Sequence, residues 1–396
     1  MNAHPSRPPV TDRWLVVQPH DTVQVRDGRS FDAGTGGIAH SVRPWPSTIA
    51  GALTAALGGE DPQSVRGPVL VRETGDGWRP YFPAPMDLHT DPERTKVWRM
   101  FLPGGPDAEP GAGPGTALGT APGGGGAAPV TDLHRTAEAD GIAGLRLPAL
   151  PDDAEDEDRR TESCDALLPG RTLQDYLHGT LVAPGSATSY DELDAVDDPV
   201  VPEPRTGIGL DPRTRTVRNG MLYRTTHMRL QQGWAFAAHV TPRPEQQRQV
   251  DIGPPDPVQF GGLARMADVD PAPGADWPRA PARFPGGRVL LYVATPALWP
   301  RGWHPEPPPG AELVSAVVGD PVAVASASPK RGPEGFWNTR VLAWAVPPGS
   351  VYLLRFPGED EAAAWAAEHH ARALGPPARE RMDTAGFGVV LTGVWS

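Results

Sequence analysis

The sequence has a single cysteine, Cys164, in 396 residues, which excludes an internal disulfide and a zinc site built from cysteines. Lysine is almost as scarce: of the 36 basic residues, only Lys96 and Lys330 are not arginine. A GC-rich genome produces that bias, so arginine preference alone does not argue for RNA. Long apolar runs are missing too. None approaches the roughly 18 residues needed to cross a bilayer, so no membrane contact is expected. The first thirteen residues hold no apolar run, so no secretory leader is expected and the chain is read as cytoplasmic. The phosphate-binding lysine loop, the GxSxG elbow and the HExxH zinc helix are all absent. His369 and His370 are neighbours on a predicted helix, point to different faces and make a poor metal pair. No metal and no cofactor is expected.

The net charge of −12 argues against indiscriminate nucleic-acid binding. The charge is uneven, however. From Arg205 to Arg248 there are eight arginines against two acids, Asp211 and Glu245, so the rest of the chain is the more acidic. Glycine and proline are abundant, at 46 and 50 residues. Residues 103–129 include ten glycines and six prolines, a composition that cannot pack a core and predicts a disordered insert. Six acids in the seven positions 152–158 predict a second mobile loop.

Between these segments the patterning predicts short strands and few helices. Residues 13–18 read as a strand, and Ser47, a capping-type residue after Pro46, opens a helix that Gly58 and Gly59 stop. Ile49, Leu53 and Leu57 fall on one face of it. Strands are predicted at 69–71, 79–82, 221–230, 288–295, 312–318, 351–356 and 389–395. Short helical signals occupy 172–179, and 359–374 is the clearest helix. Gly233 is expected to turn the strand 221–230 back onto 234–240 as a hairpin. Strand, helix, strand pair, helix, strand is the split pattern of ferredoxin-like or RRM-like folds. The reading is therefore an α+β chain of two such domains, 13–200 and 201–396, with long, partly disordered loop insertions.

Four strings could carry function. Arg26 and Arg29 flank Gly28 in a loop and could grip phosphates, although a surface turn explains them as simply. Ser47 and Thr48 put hydroxyls and backbone donors at a helix start, which suits an anion or an ordinary cap. Arg205-Thr206-Gly207-Ile208-Gly209 is a weak GxG string without the third glycine of a dinucleotide loop. Gly386-Phe387-Gly388 lies between the last helix and last strand. Its glycines would let an RNA backbone approach and its phenylalanine could stack on a base; equally, Phe387 could cap the core. His20 and His40, in the first long loop, are the only plausible acid–base groups.

Taken in order, several strings resemble one family. They are Arg26-Asp27-Gly28-Arg29-Ser30-Phe31, Pro46-Ser47-Thr48-Ile49-Ala50-Gly51-Ala52, Arg205-Thr206-Gly207-Ile208-Gly209 and Gly220-Met221-Leu222-Tyr223. Phe260-Gly261-Gly262, Val346-Pro347-Pro348-Gly349-Ser350-Val351-Tyr352 and Gly386-Phe387-Gly388 follow. The set is similar to the third RAMP subunit of Cmr-type (type III-B) CRISPR effector complexes, with Ser30 and Pro348 standing where that family has proline and alanine. The resemblance implies a non-catalytic subunit that holds the repeat-derived 5′ handle of the CRISPR RNA. Its implied partners are that RNA, the large polymerase-like subunit and the backbone RAMP subunit. It also implies RNA contacts at Arg26, Arg29, Ser47, Thr48, Arg205, Gly207, Gly209, Phe260, Gly261, Gly262, Gly386, Phe387 and Gly388. The alternative is a metal-independent RAMP endoribonuclease that cuts precursor CRISPR RNA with His40 or His20 as base.

Overall fold

The computed structural model describes residues 13–26, 38–39, 41–106, 145–154, 160–243, 257–332, 335–375 and 382–396. Arg29, His40, the insert beyond residue 106 and the acidic run from residue 155 lie outside these.

Two antiparallel sheets hold the core. The first runs in the order Val258–Gln259, Met266–Pro271, Arg13–Pro19, Trp234–Thr241, Ser64–Thr74, Gly77–Pro83, Leu167–Pro169. The second runs Glu312–Val317, Val351–Arg355, Arg288–Val293, Val389–Val394, Arg372–Ala373. Few helices accompany them, so the α+β class expected from the sequence is the one observed. Residue 200, the expected junction, falls between strands of the first sheet, because Trp234–Thr241 pairs with both Arg13–Pro19 and Ser64–Thr74.

Side chains on a strand alternate between faces, and here both faces are buried. In the first sheet Trp14, Val16, Ala235 and Ala237 point to the second sheet, packing with Leu290, Tyr292, Val389 and Leu391. Leu15, Val17, Phe236 and Ala238 point the other way, onto helix α1 (Pro46–Ala56). In the second sheet Val289, Leu291 and Val390 face outward onto helix α3 (Glu359–His369) through Ala362 and Ala366. Helix α2 (Gly170–Leu177) buries Leu173, Tyr176 and Leu177 in the layer between the sheets. The result is four layers, α1, sheet, sheet, α3. Burial on both faces explains why 288–293 and 389–394 read as nearly unbroken apolar runs.

Two details differ from the sequence reading. Helix α1 starts one residue early: Trp45 is the N-cap, Pro46 occupies the first turn, and Ser47 is inside the helix, as suits a proline whose φ is already helical. The anticipated pairing of 221–230 with 234–240 does not form. Gly233 does turn the chain, with φ +80, but Trp234–Thr241 inserts into the first sheet. The strand Val217–Leu230 pairs instead with Val200–Leu210 and Ile38–Ala39. Trp234–Thr241 is apolar on both faces and needs a central place. Val217–Leu230 alternates exposed and covered residues and suits an arm at the edge.

Candidate nucleic-acid interface

The short segment 20–26, just past the first strand, gathers several of the predicted strings. Val23 and Met228 exchange backbone hydrogen bonds of 2.8 Å, tying it to the long hairpin Val200–Leu210/Val217–Leu230. The Gly262 N–H donates to Gln24 O at 2.7 Å, which docks the loop 260–262 on the same segment. Arg26 bridges to Ser41, whose hydroxyl donates to Thr226 O. Arg26, Arg205 and Phe260–Gly262 therefore meet at one hub, although they span 237 positions of sequence, and Gly207 and Gly209 lie further along the same hairpin.

The hub is charged. Asp21 accepts from Arg205 at 3.0 Å, Arg229 at 2.8 Å and Arg265 at 3.0 Å, and Glu203 accepts from Arg205 at 2.8 Å and Arg229 at 2.5 Å. Three guanidinium groups meet two carboxylates. Burial alone would raise the Asp21 carboxyl, but hydrogen bonds from Arg205 and Arg229 outweigh it and hold the pKa at about 2. The hydrogen bond from Arg229, then that from Arg205, lowers Glu203. His227 donates to or accepts from Thr22 Oγ1 at 2.9 Å. Burial first, then the charges of Arg205 and Arg265, push its pKa down, so the ring is neutral. Arg205, expected as a phosphate grip, is thus largely satisfied within the protein.

Further out, the hairpin is different. Arg213, Arg215 and Arg218 sit at its exposed turn and Arg224 on its flank; none of the four side chains has a hydrogen-bonding or ionic partner among the described residues. The Asp211 carboxylate holds the turn by accepting from the N–H groups of Arg213 and Thr214 at 2.8 and 3.0 Å. Ile208 and Leu222 lie opposite each other on the exposed face, as do Leu210 and Val217, and each is about half exposed. The arm presents free cations and apolar side chains together, a combination that suits a phosphate backbone and its bases.

The glycines of the 205–209 string have structural reasons. The string is a strand and not a loop. A Cβ on Gly207 would fall 2.3 Å from Cζ of Tyr223, whose ring covers it from the opposite strand, and one on Gly209 would meet Met221 at 2.9 Å. Gly261, at φ +83, leaves no room for a Cβ beside Gln24 O, 2.6 Å away, and Phe260 is buried against Phe236. Phe260 is thus buried, and Gly207, Gly209 and Gly261, each half-buried, have neighbours within the protein that already account for glycine. Gly262 is the hydrogen-bonding partner of Gln24 described above.

Gly386-Phe387-Gly388 lies elsewhere, against the strand Ser64–Thr74. Gly386 has φ +104, and a Cβ there would sit 2.5 Å from Gly67 O. Phe387 is buried in the layer that also holds α1, so it caps the core and is not open for base stacking. Gly388 has φ +72 with its nearest neighbours 3.8 Å away, so conformation and not space asks for glycine. Ser47 and Thr48 remain half-buried in the first turn of α1. His20 is held by Asp268 at 2.8 Å. Among the described residues no group of three histidine, cysteine or acidic side chains could hold a metal ion, and no helix is long and apolar enough to cross a membrane.

The sequence reading missed Asp21, Glu203, Arg229 and Arg265 at the hub and the arginines of the hairpin turn. The run of eight arginines from 205 to 248 was the available signal; which of them are neutralised depends on Asp21, far away in sequence.

The sequence model of a family described as CRISPR-associated protein (Cas_Cmr3) matches residues 15–395. No curated protein matches. Among solved structures, the chain is similar to one from a type III-B Cmr-beta complex bound to cognate target RNA and AMPPnP. The two share 14% identity over 86% of each chain, with a TM-score of 0.44. A chain of the type III-B Cmr-beta complex bound to cognate target RNA gives 14% identity, 86% of each chain and 0.42.

Proposed function

The chain belongs to the Cas_Cmr3 family of CRISPR-associated proteins, and on that premise we propose that it is a non-catalytic, RNA-holding subunit of a type III-B effector complex. In this reading it has two RRM-like RAMP units and grips the repeat-derived 5′ handle of the guide RNA. It also bridges the large polymerase-like subunit to the backbone subunits. The observation that supports RNA contact most is the hairpin arm: four arginines, Arg213, Arg215, Arg218 and Arg224, without side-chain partners among the described residues, on a chain whose net charge is −12. Local cations on an acidic protein favour one RNA path over general nucleic-acid adhesion.

The test is to co-express the chain with the other subunits, purify through a tag on this chain and sequence the RNA it carries. Repeat-derived 5′ ends are expected. Incubating the protein with labelled repeat RNA decides the catalytic question: intact RNA agrees with a holder, and cleavage lost in His20→Ala would establish a nuclease instead.

A further inference from the structure

A cavity of about 390 Å³ opens between the approach to α1, the first sheet and loops leading from the second. That volume is within the range of sites that enclose a ligand. Its floor is aromatic, from Trp45, Phe82 and Phe236, each no more than 5% exposed. Its mouth is formed by half-buried Pro83, Pro296, Pro348 and Val322. Its apolar walls come from separate parts of the chain and not from one loop.

Two features at the rim decide what fits, above a Trp45 ring whose indole nitrogen is sealed from solvent. At the rim Arg43 is paired with Asp198. Asp165, also at the rim, is exposed and has no ion-pair partner among the described residues. The rim's uncommitted charge is therefore negative. A nucleobase entering the socket would bring its phosphate toward that carboxylate, whereas a polypeptide can bring a cation.

We infer that this cavity is a docking socket for another protein subunit. It takes an apolar or aromatic side chain directly flanked by lysine or arginine. The anchor fills the aromatic floor, and the flanking cation pairs with Asp165. Anchors of this kind carry most of the energy of an interface. The inference rests on the proposed function only for the choice of subunits to co-express.

The test places p-benzoylphenylalanine at Val322 in the full chain within the co-expressed complex and irradiates it. The expected adduct lies on an apolar residue of a partner polypeptide next to lysine or arginine. Asp165→Lys should cut its yield about tenfold through like-charge repulsion, with unchanged melting, because Asp165 supports no contact of the fold. An adduct on RNA, an adduct on a peptide without a neighbouring cation, or a yield indifferent to Asp165→Lys overturns the inference. RNA carried by the same preparation is scored separately and reports on the proposed function. If the complex does not assemble, the chain alone is titrated with the amidated peptides Gly-Trp-Arg and Gly-Trp-Glu while the Trp45 indole proton is followed by NMR. A shift with the arginine peptide and not with the glutamate peptide supports the socket; equal responses, or none with either, contradict it.

Discussion

Two strings that the family resemblance marks as RNA contacts, 205–209 on the hairpin arm and 386–388, have opposite surroundings in the structure. The arm leaves four guanidinium groups in solvent and keeps its glycines under Tyr223 and Met221. The loop turns inward: Gly386 lies against Gly67, Phe387 is in the core, and Thr295 Oγ1 donates to Gly386 O at 2.7 Å. A glycine looks the same in sequence whether a ligand or a neighbouring strand requires it. The atoms facing it decide, and here those belong to the protein: side chains on the arm and backbone at Gly386.

The most damaging way to probe that contrast is Gly386→Val. The new side chain would collide with Gly67 O in a left-handed backbone, costing roughly 2–5 kcal/mol from overpacking and conformational strain. Melting temperature should fall steeply, and RNA and protein partners should be lost together. A variant that folds as the wild type and loses only RNA would return the loop to the RNA path. At the hub, replacing Arg205 and Arg229 together by alanine should lower the melting temperature measurably, since it leaves Asp21 and Glu203 without their main donors. This double variant should affect RNA less per arginine than changes at the hairpin turn. Equal losses would mean that hub and arm share one role.

Smaller effects follow from titration. His227 is neutral in the fold because burial, then Arg205 and Arg265, depress its pKa below the ordinary 6.5. The unfolded chain therefore binds the extra proton first, and stability falls as pH drops below about 6.5. His227→Gln should flatten the dependence of melting temperature on pH between 7.5 and 5.5. Asp21, at about 2, works at lower pH: its contribution is intact above the unfolded carboxylate value of 3.8 and disappears as pH falls toward 2. An Asp21→Asn protein should lose less stability over that lower window than the wild type. No effect at all is expected from replacing residues 107–144 by a short linker. Both ends of that stretch are held by Arg146, whose guanidinium donates to Pro103 O at 2.7 Å, Gly105 O at 2.6 Å and Pro106 O at 3.2 Å. Failure of the complex to assemble would give the insert a role.

Local patterns carried much of the fold. Ile49, Leu53 and Leu57 announced the buried face of α1, and strands form where 288–295 and 389–395 were expected to be strands. Pairing was not legible. Val200–Leu210 contains Pro202, Pro204, Gly207 and Gly209, residues depleted from strands, and becomes a strand because it lies at a sheet edge where Tyr223 covers Gly207. At the candidate site the basic run was visible, but its division into neutralised and free arginines was not. That division depends on Asp21, which meets Arg205 across 184 positions, and no local pattern encodes such a contact.

The salt dependence of handle-RNA affinity tests the central claim most directly, comparing the wild type with a variant carrying Arg213→Ala, Arg215→Ala and Arg218→Ala. Each phosphate contact to single-stranded RNA contributes about 0.7 to the slope of log affinity against log salt. If the arm grips the backbone, removing three contacts should reduce that slope by about 2 while melting temperature and protein partners stay as in the wild type. An unchanged slope in a folded, assembled variant would contradict an RNA path along the arm.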